Sequence, residues 1–356
     1  MNNEKQNRCN LIDIIKGFMI LFIIITHYKW AYPSDYLKYG FVFYIDMAVP
    51  VFMVISGYLA AKSFEKRECT LQQAFSIEML LPKLLRFLIP FLITFIIELP
   101  FLIIYKKLDI LSLIQTFVRG GAGPGSYYTP VMIQFIFITP IIYYIIKRYG
   151  LCGMCSCFLF TAAWEAVQYS WGMDDRPYVL LVLRYVSVIA FGCYIAIGQV
   201  KLNKKVLCIM FLTGIVWQCS LCYVPLNPPF MNFSWARVNY LSSLIVMPIM
   251  YVLIRKFYFS SLKMPLIQQL GKASYNIFLV QMVYYYCVVS LVYEKIHGIL
   301  LQIVISVITC CCLGCIFYSI EIKITEHIVR SVKKRNYYKD KINSIKIFCN
   351  RMAGSD

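Results

Sequence analysis

Ten residues, Gly17 to Thr26, none of them charged, separate Lys16 from His27 in the stretch LIDIIKGFMILFIIITHYKW. On a helix, eleven steps of about 100° come to roughly 20° past three full turns, so both side chains share one face about 16 Å apart along the axis. Asp13 lies one turn before Lys16 on the same stripe. Ionisable groups in a lipid-spanning helix cost several kcal/mol unless they face protein, water or a partner, so three on one stripe point to function. The structural alternative treats Asp13 and Lys16 as juxtamembrane charges and His27 as a packing residue. An imidazole exchanges a proton near neutral pH without help, which suits it to acid–base or nucleophilic work.

Such a stripe needs a membrane frame to hold it, and the composition supplies one. Hydrophobic residues make up 60% of the 356 residues, charged residues only 15%, and the mean hydropathy is +0.67, well outside the range of soluble domains. The fold class expected is all-α, a polytopic membrane protein with about ten transmembrane helices. These are placed near 11–30, 41–61, 87–105, 127–146, 149–168, 179–199, 206–224, 235–254, 274–293 and 299–320. The net charge of +18 does not indicate nucleic acid, because the basic residues alternate with the apolar segments and gather on no soluble face. With the N-terminus in the cytoplasm, 25 of the 35 Lys and Arg fall on that side, so both termini are expected there and the loops near 31–40, 106–126 and 225–234 face outwards. Two regions follow, a transmembrane domain over 1–320 and a basic cytoplasmic tail over 321–356 lying against anionic lipid. The first apolar segment has no cleavage pattern and is expected to remain as helix one.

Polar residues within or beside the spans sort by depth. Lys83 and Arg86, in PKLLRFLIP, join Lys16 in a basic inner cluster, whereas His27, Glu98, Glu165, Arg184 and Arg237 form a mixed outer one. That division suits an anionic donor entering from the cytoplasm and a reacting group reached from the other face. Glu98 or Glu165 would orient His27, although each carboxylate and arginine serves equally as a structural ion pair between helices. The glycine-rich segment RGGAGPGSYY allows a compact path over the membrane face and reads as a connector, since it lacks a nucleotide-loop pattern. Fifteen cysteines include Cys310, Cys311, Cys312 and Cys315 on one apolar helix with no histidine or carboxylate at ligand spacing. They read as small buried hydrophobes, with neither metal nor required disulfide expected.

Several segments taken together carry a resemblance. Arg8, Asp13, Lys16, Gly17 and His27 form a basic residue, ten residues, then histidine; FMVISGYLAAKSF carries Ser56 and Gly57; KLLRFLIPF carries Lys83, Arg86 and Pro90. SYYTPVMIQFIFITPII, RYVSVIAFGCYIAIG with Gly192, and LGKASYNIFLVQM with Ser274 and Tyr275 follow in order. In this order the chain resembles the acyltransferase-3 family of integral membrane acyltransferases, which commonly O-acetylate bacterial cell-surface polysaccharides, over roughly residues 8–320. Two departures stand out. Lys16 replaces the usual arginine and loses its bidentate fork, and Gln281 stands where many relatives carry histidine.

The resemblance implies acyl transfer from acetyl-CoA or another acyl-CoA, used as co-substrate with no bound cofactor, to a hydroxyl of a cell-surface or lipid-linked glycan. Asp13, Lys16, Lys83 and Arg86 would form the donor site, His27 would act as general base or brief acyl carrier, and Arg184, Arg237, Tyr127 and Tyr128 would meet the acceptor. The bacterial cell membrane is the implied location. Membrane lipid is an expected partner and nucleic acid is not, and since no appended hydrolase-like domain is expected, a homodimer or a separate extracytoplasmic transferase is the partner the resemblance leaves open. The rival classes are a transporter or flippase for a lipid-linked or small anionic substrate, and a polymerase or ligase of lipid-linked sugars. A transporter would more often show inverted repeats, and a ligase larger outer loops.

Overall fold

A computed structural model describes the backbone of residues 2–28, 33–198, 201–224, 240–257 and 262–353. No strand occurs among the described residues. The principal helices are α1 (Asn2–Thr26), α2 (Ala48–Arg67), α3 (Ile77–Ile104), α4 (Ile110–Val118), α5 (Tyr128–Ser170) and α6 (Val186–Ile197). They continue with α7 (Lys204–Cys222), α8 (Val246–Phe257), α9 (Pro265–Lys272), α10 (Ser274–Val283) and α11 (Ile299–Ala353).

Among the described residues, six stretches are long and apolar enough to cross a bilayer: Phe41–Arg67, Leu71–Ile104, Tyr128–Ser170, Lys204–Cys222, Ser274–Tyr293 and Ile299–Val332. Ten were expected; the six are those that qualify by helix length and composition, and several of the other expected spans take different local forms. The expected spans 127–146 and 149–168 are joined as α5, whose dihedrals break at Gly150 (φ 54°, ψ −122°). A Cβ on Gly153 would lie 2.7 Å from the Ile145 carbonyl oxygen, whereas eight residues of straight helix would separate them by about 12 Å. The chain therefore doubles back at Gly150, a turn that only glycine enters without strain. The span expected at 179–199 shrinks to α6, 12 residues, because a 3₁₀ turn at Val182–Tyr185 occupies its start. Of the one expected at 235–254, residues 235–239 lie outside the described residues, and the rest holds a 3₁₀ turn at Ser242–Leu244 followed by α8, also 12 residues. α1 runs 25 residues to Thr26 and leaves His27 in the turn that follows.

Large apolar side chains cover the outside as well as the inside. Ile96, Ile97 and Ile104 on α3, Ile209, Leu212 and Val216 on α7, and Leu300 and Ile308 on α11 are all exposed. Helices apolar all round are solvated by lipid. Two buried cores lie inside this coat. One joins Val51, Val54 and Tyr58 of α2 to Ile189 and Phe191 of α6, Val131 and Tyr143 of α5 and Met247 of α8; the other joins Phe91 and Phe95 of α3 to Ile277, Phe278 and Leu279 of α10 and Cys310 of α11. α1 stitches them, giving Leu11, Ile12 and Ile15 to the first core and Ile20, Ile23 and Ile24 to the second.

α9 crosses the middle of α1 at backbone contact. A Cβ on Gly17 would strike the Ile267 carbonyl, and one on Gly271 would strike that of Asp13. This crossing brings Lys272 beside the Asp13–Lys16 turn. α11 runs without a break through residue 320, where the transmembrane domain was expected to end, and the buried Glu321 carboxylate accepts a 3.1 Å hydrogen bond from Asn276 Nδ2.

Candidate active site

The end of α1 is tied down by several hydrogen bonds. His27 N–H donates to the Ile23 carbonyl at 3.3 Å and Tyr28 N–H to that of Ile25 at 3.2 Å. The Ile24 carbonyl, which has no donor from its own last turn, accepts the Tyr285 hydroxyl at 2.9 Å. Tyr285 reaches it from a single π turn, Tyr284–Val288, which continues α10. Such turns redirect side chains in the middle of a helix, frequently at functional sites.

His27 Nδ1 lies 2.7 Å from Gln281 Oε1. The same amide donates through Nε2 to the Pro124 carbonyl at 3.1 Å, which turns its oxygen towards the imidazole. Nδ1 must therefore carry the hydrogen, and Nε2 is left with its lone pair. Nε2 has no hydrogen-bond partner among the described residues.

The glycine-rich segment does not run over the surface as a connector. Gly120, Gly121 and Gly123 are buried, and Gly125, at φ +83°, lies so close to His27 that a Cβ would sit 3.0 Å from Cε1 and 3.3 Å from Nε2. Only glycine combines that dihedral with that approach. The loop therefore forms one wall around the imidazole.

Two cavities follow the stripe on α1. The upper, about 360 Å³, is lined by Ile23, Thr26, His27, Asp46, Gly125, Tyr127, Tyr128, Arg184, Tyr185 and Phe278, among others. The lower, about 200 Å³, is lined by Lys16, Ile20, Ile23, Phe52, Ser56, Phe87, Tyr128, Lys272, Tyr275 and Phe278, among others. Ile23, Tyr128 and Phe278 line both, so they stand between them. Lys16, Ile20, Ile23 and His27 thus form a continuous helical stripe, with a cation at one end and an imidazole at the other.

A family model described as an acyltransferase domain (Acyl_transf_3) matches residues 10–319, nearly the whole chain. The chain belongs to the acyltransferase-3 family. No curated protein and no solved structure matches it. The match spans both cavities and every helix from α1 to the middle of α11.

Within this acyltransferase, some residues singled out in the sequence converge and others do not. Arg184, Tyr127 and Tyr128 line the His27 cavity. The Arg184 guanidinium is buried, sits 4.5 Å from the Tyr185 ring centroid, 5.1 Å from that of Tyr127 and 5.6 Å from that of Tyr178, and donates to the Tyr185 hydroxyl. Glu165 stands a layer behind, accepting the Tyr178 hydroxyl at 2.6 Å. Glu98 lies beneath the glycine loop, where one carboxylate oxygen accepts Ala122 N–H at 3.4 Å and the other is buried without a hydrogen-bond partner among the described residues. Neither carboxylate lines either of these two cavities, and it is Gln281 that hydrogen-bonds His27.

Lys16 lines the lower cavity and pairs with Asp13 at 3.8 Å. Lys83 packs its ammonium 4.5 Å above the Phe64 ring, and Arg86 is exposed; neither lines the cavity. Lys272 does, a placement that needed the α1–α9 crossing to become visible. Arg237 lies outside the described residues. Gln281, Lys272 and the cavity-lining Asp46, which accepts the Tyr36 hydroxyl, were not anticipated as site residues. Gln281 at the usual histidine position was the one available signal.

Proposed function

We propose that this acyltransferase moves an acetyl or other short acyl group from cytoplasmic acyl-CoA to a hydroxyl of a cell-surface or lipid-linked glycan, at a bacterial cell membrane. The observation that carries the reading is the pair of cavities along one face of α1, cationic at one end and holding His27 at the other. In this reading Lys16 and Lys272 attract the CoA phosphates at the lower mouth, as cations bind phosphate oxygens. The pantetheine arm extends along the apolar wall of Ile20, Ile23 and Phe52. The acceptor occupies the upper cavity, where the Tyr127 and Tyr185 rings offer faces to a sugar and Arg184 and Asp46 offer groups to its hydroxyls.

His27 acts as general base. As the acceptor oxygen attacks the thioester carbonyl, its proton passes to Nε2; the carbon–sulfur bond then breaks, and the imidazolium returns the proton to the departing thiolate. The Gln281 carbonyl stays on Nδ1–H throughout and holds the ring in the required tautomer.

The test is acyl transfer by the purified chain, reconstituted with labelled acetyl-CoA and extracted surface glycan. Label in the glycan with release of one thiol per acyl group is the expected result; binding of the glycan with no thiol release would favour a translocator. Lys16→Ala and Lys272→Ala are each expected to raise the apparent KM for acetyl-CoA by roughly tenfold, the effect of losing about 1.4 kcal/mol of charge-assisted binding. Lys16→Arg should retain most affinity. Lys83→Ala and Arg86→Ala should have smaller effects that shrink with added salt. A change confined to the acceptor KM in Lys16→Ala would reverse the assignment of the two cavities.

Orientation follows in this reading from charge, with Lys62, Lys66 and Arg67 at one end of α2 and Lys204 and Lys205 at the start of α7 on the cytoplasmic side. In a cysteine-depleted background, Ser34→Cys and Lys106→Cys should react with an impermeant thiol reagent on intact cells, and Ser63→Cys and Asn203→Cys only after permeabilisation. The opposite pattern would turn His27 towards the cytoplasm and make an intracellular acceptor the better reading.

A further inference from the structure

We propose that Ile23, Tyr128 and Phe278 form an acyl-size filter between the two cavities, restricting the donor to the shortest acyl-CoAs. The inference rests on reading the lower cavity as the donor chamber and the upper as the acceptor chamber. These are the three side chains common to both linings, and they come from three separate elements, α1, α5 and α10. A thioester that enters past Lys16 must present its carbonyl beyond them to reach His27.

The filter is braced on every side. The Phe278 ring is buried, with its centroid 5.0 Å from that of Tyr128 and 6.4 Å from that of Tyr275, to which it lies nearly parallel at 11°. Tyr275 is itself fixed, because its hydroxyl donates to the Phe87 carbonyl at 3.1 Å and stands 3.3 Å from Thr129 Oγ1. On the other edge, a Cβ on Gly125 would lie 3.1 Å from Phe278 Cε2 and 3.0 Å from His27 Cε1. The ring that closes the partition and the imidazole therefore flank the same backbone position. Ile23, 5% exposed, holds the third side, and its carbonyl accepts His27 N–H.

With the Phe278 ring packed against Tyr128 and Tyr275, the passage between the two cavities opens only by small ring rotations. An acetyl group needs room for one methyl beside the carbonyl, and each further methylene must be forced into occupied space. In a closed pocket one methylene changes kcat/KM by about 10–200-fold.

The test compares acetyl-, propionyl- and butyryl-CoA as donors to the same extracted surface glycan, using the full-length chain in proteoliposomes. The wild type is expected to prefer acetyl over butyryl by at least tenfold in kcat/KM. Phe278→Ala should raise the butyryl-to-acetyl ratio by at least about tenfold, and Phe278→Leu by less, because part of the volume is kept. Ile23→Ala makes the same comparison from α1 and decides the matter if Phe278→Ala does not give a monodisperse protein. Equal use of acetyl and butyryl by the wild type overturns the filter, as does a loss in the variants that is proportionate for both donors. No thiol release by the wild type from any of the three thioesters fails the donor reading itself, an outcome distinct from altered selectivity.

Discussion

His27→Ala is expected to lower acyl transfer by roughly 10²–10⁴-fold while leaving the protein folded in detergent, the range a lost general acid–base group commands. The fold should survive because the last turn of α1 is held by backbone groups and by the Tyr285 hydroxyl on the Ile24 carbonyl, none of which uses the imidazole. The loss should fall on kcat, since neither the cations of the lower cavity nor the tyrosines of the upper one depend on His27. Near-normal transfer by a well-expressed His27→Ala protein would end the mechanism. A single-turnover experiment without acceptor distinguishes the two possible roles of the ring. A general base leaves the thioester intact, whereas an acyl carrier releases one thiol per enzyme and leaves an acyl-imidazole.

The stripe on α1 was legible because helical periodicity is a property of neighbours in the chain: Lys16 and His27 had to share a face if the segment between them was helical. That the two groups lie on linked cavities depends on α5 and α10, and no periodicity reports how separate helices meet. Lys272 shows the difference. In sequence it is a basic residue before SYNIFLVQM; beside Asp13 and Lys16 it becomes part of a cationic mouth, because Gly17 and Gly271 let two backbones touch. Lys83 and Arg86, in a more conspicuous cluster, sit off the cavity because α3 presents Lys83 to the Phe64 ring and Arg86 outwards.

The glycine-rich segment was misread for a related reason. Glycine permits both an idle surface loop and a backbone packed hard against buried side chains, and composition does not separate the two. Gly125 against His27 and Phe278 is the second case. Among the described residues six helices are long and apolar enough to cross a bilayer where ten apolar stretches were read, since hydropathy registers apolar length and not whether a segment is helical throughout. The 3₁₀ turns before α6 and α8 are invisible to it, whereas the reversal at Gly150 falls beside the boundary expected between the spans 127–146 and 149–168.

Gln281→Leu is expected to reduce kcat by roughly 10²-fold, with the apparent KM for acyl-CoA little changed. Losing the partner of a functional imidazole typically costs 10–100-fold, and more where the tautomer is lost. Leucine is close to glutamine in size, so the packing around α10 is kept while both amide hydrogen bonds disappear. Nδ1 then has no acceptor and the Pro124 carbonyl no donor. With no bond to favour it, the Nδ1–H tautomer loses its advantage and the ring is free to turn its lone pair away from the acceptor; the loop bearing Gly125 also loses its tie to α10. Gln281→Glu provides the conservative control. A carboxylate still accepts from Nδ1–H, so it should recover more activity than leucine although it cannot donate to Pro124. A purely structural role would lower the thermal stability of both variants and reduce kcat in step with the fraction folded. Retention of full kcat by a stable Gln281→Leu protein would show that the histidine needs no orienting partner, and would leave only its place on α1 to explain its activity.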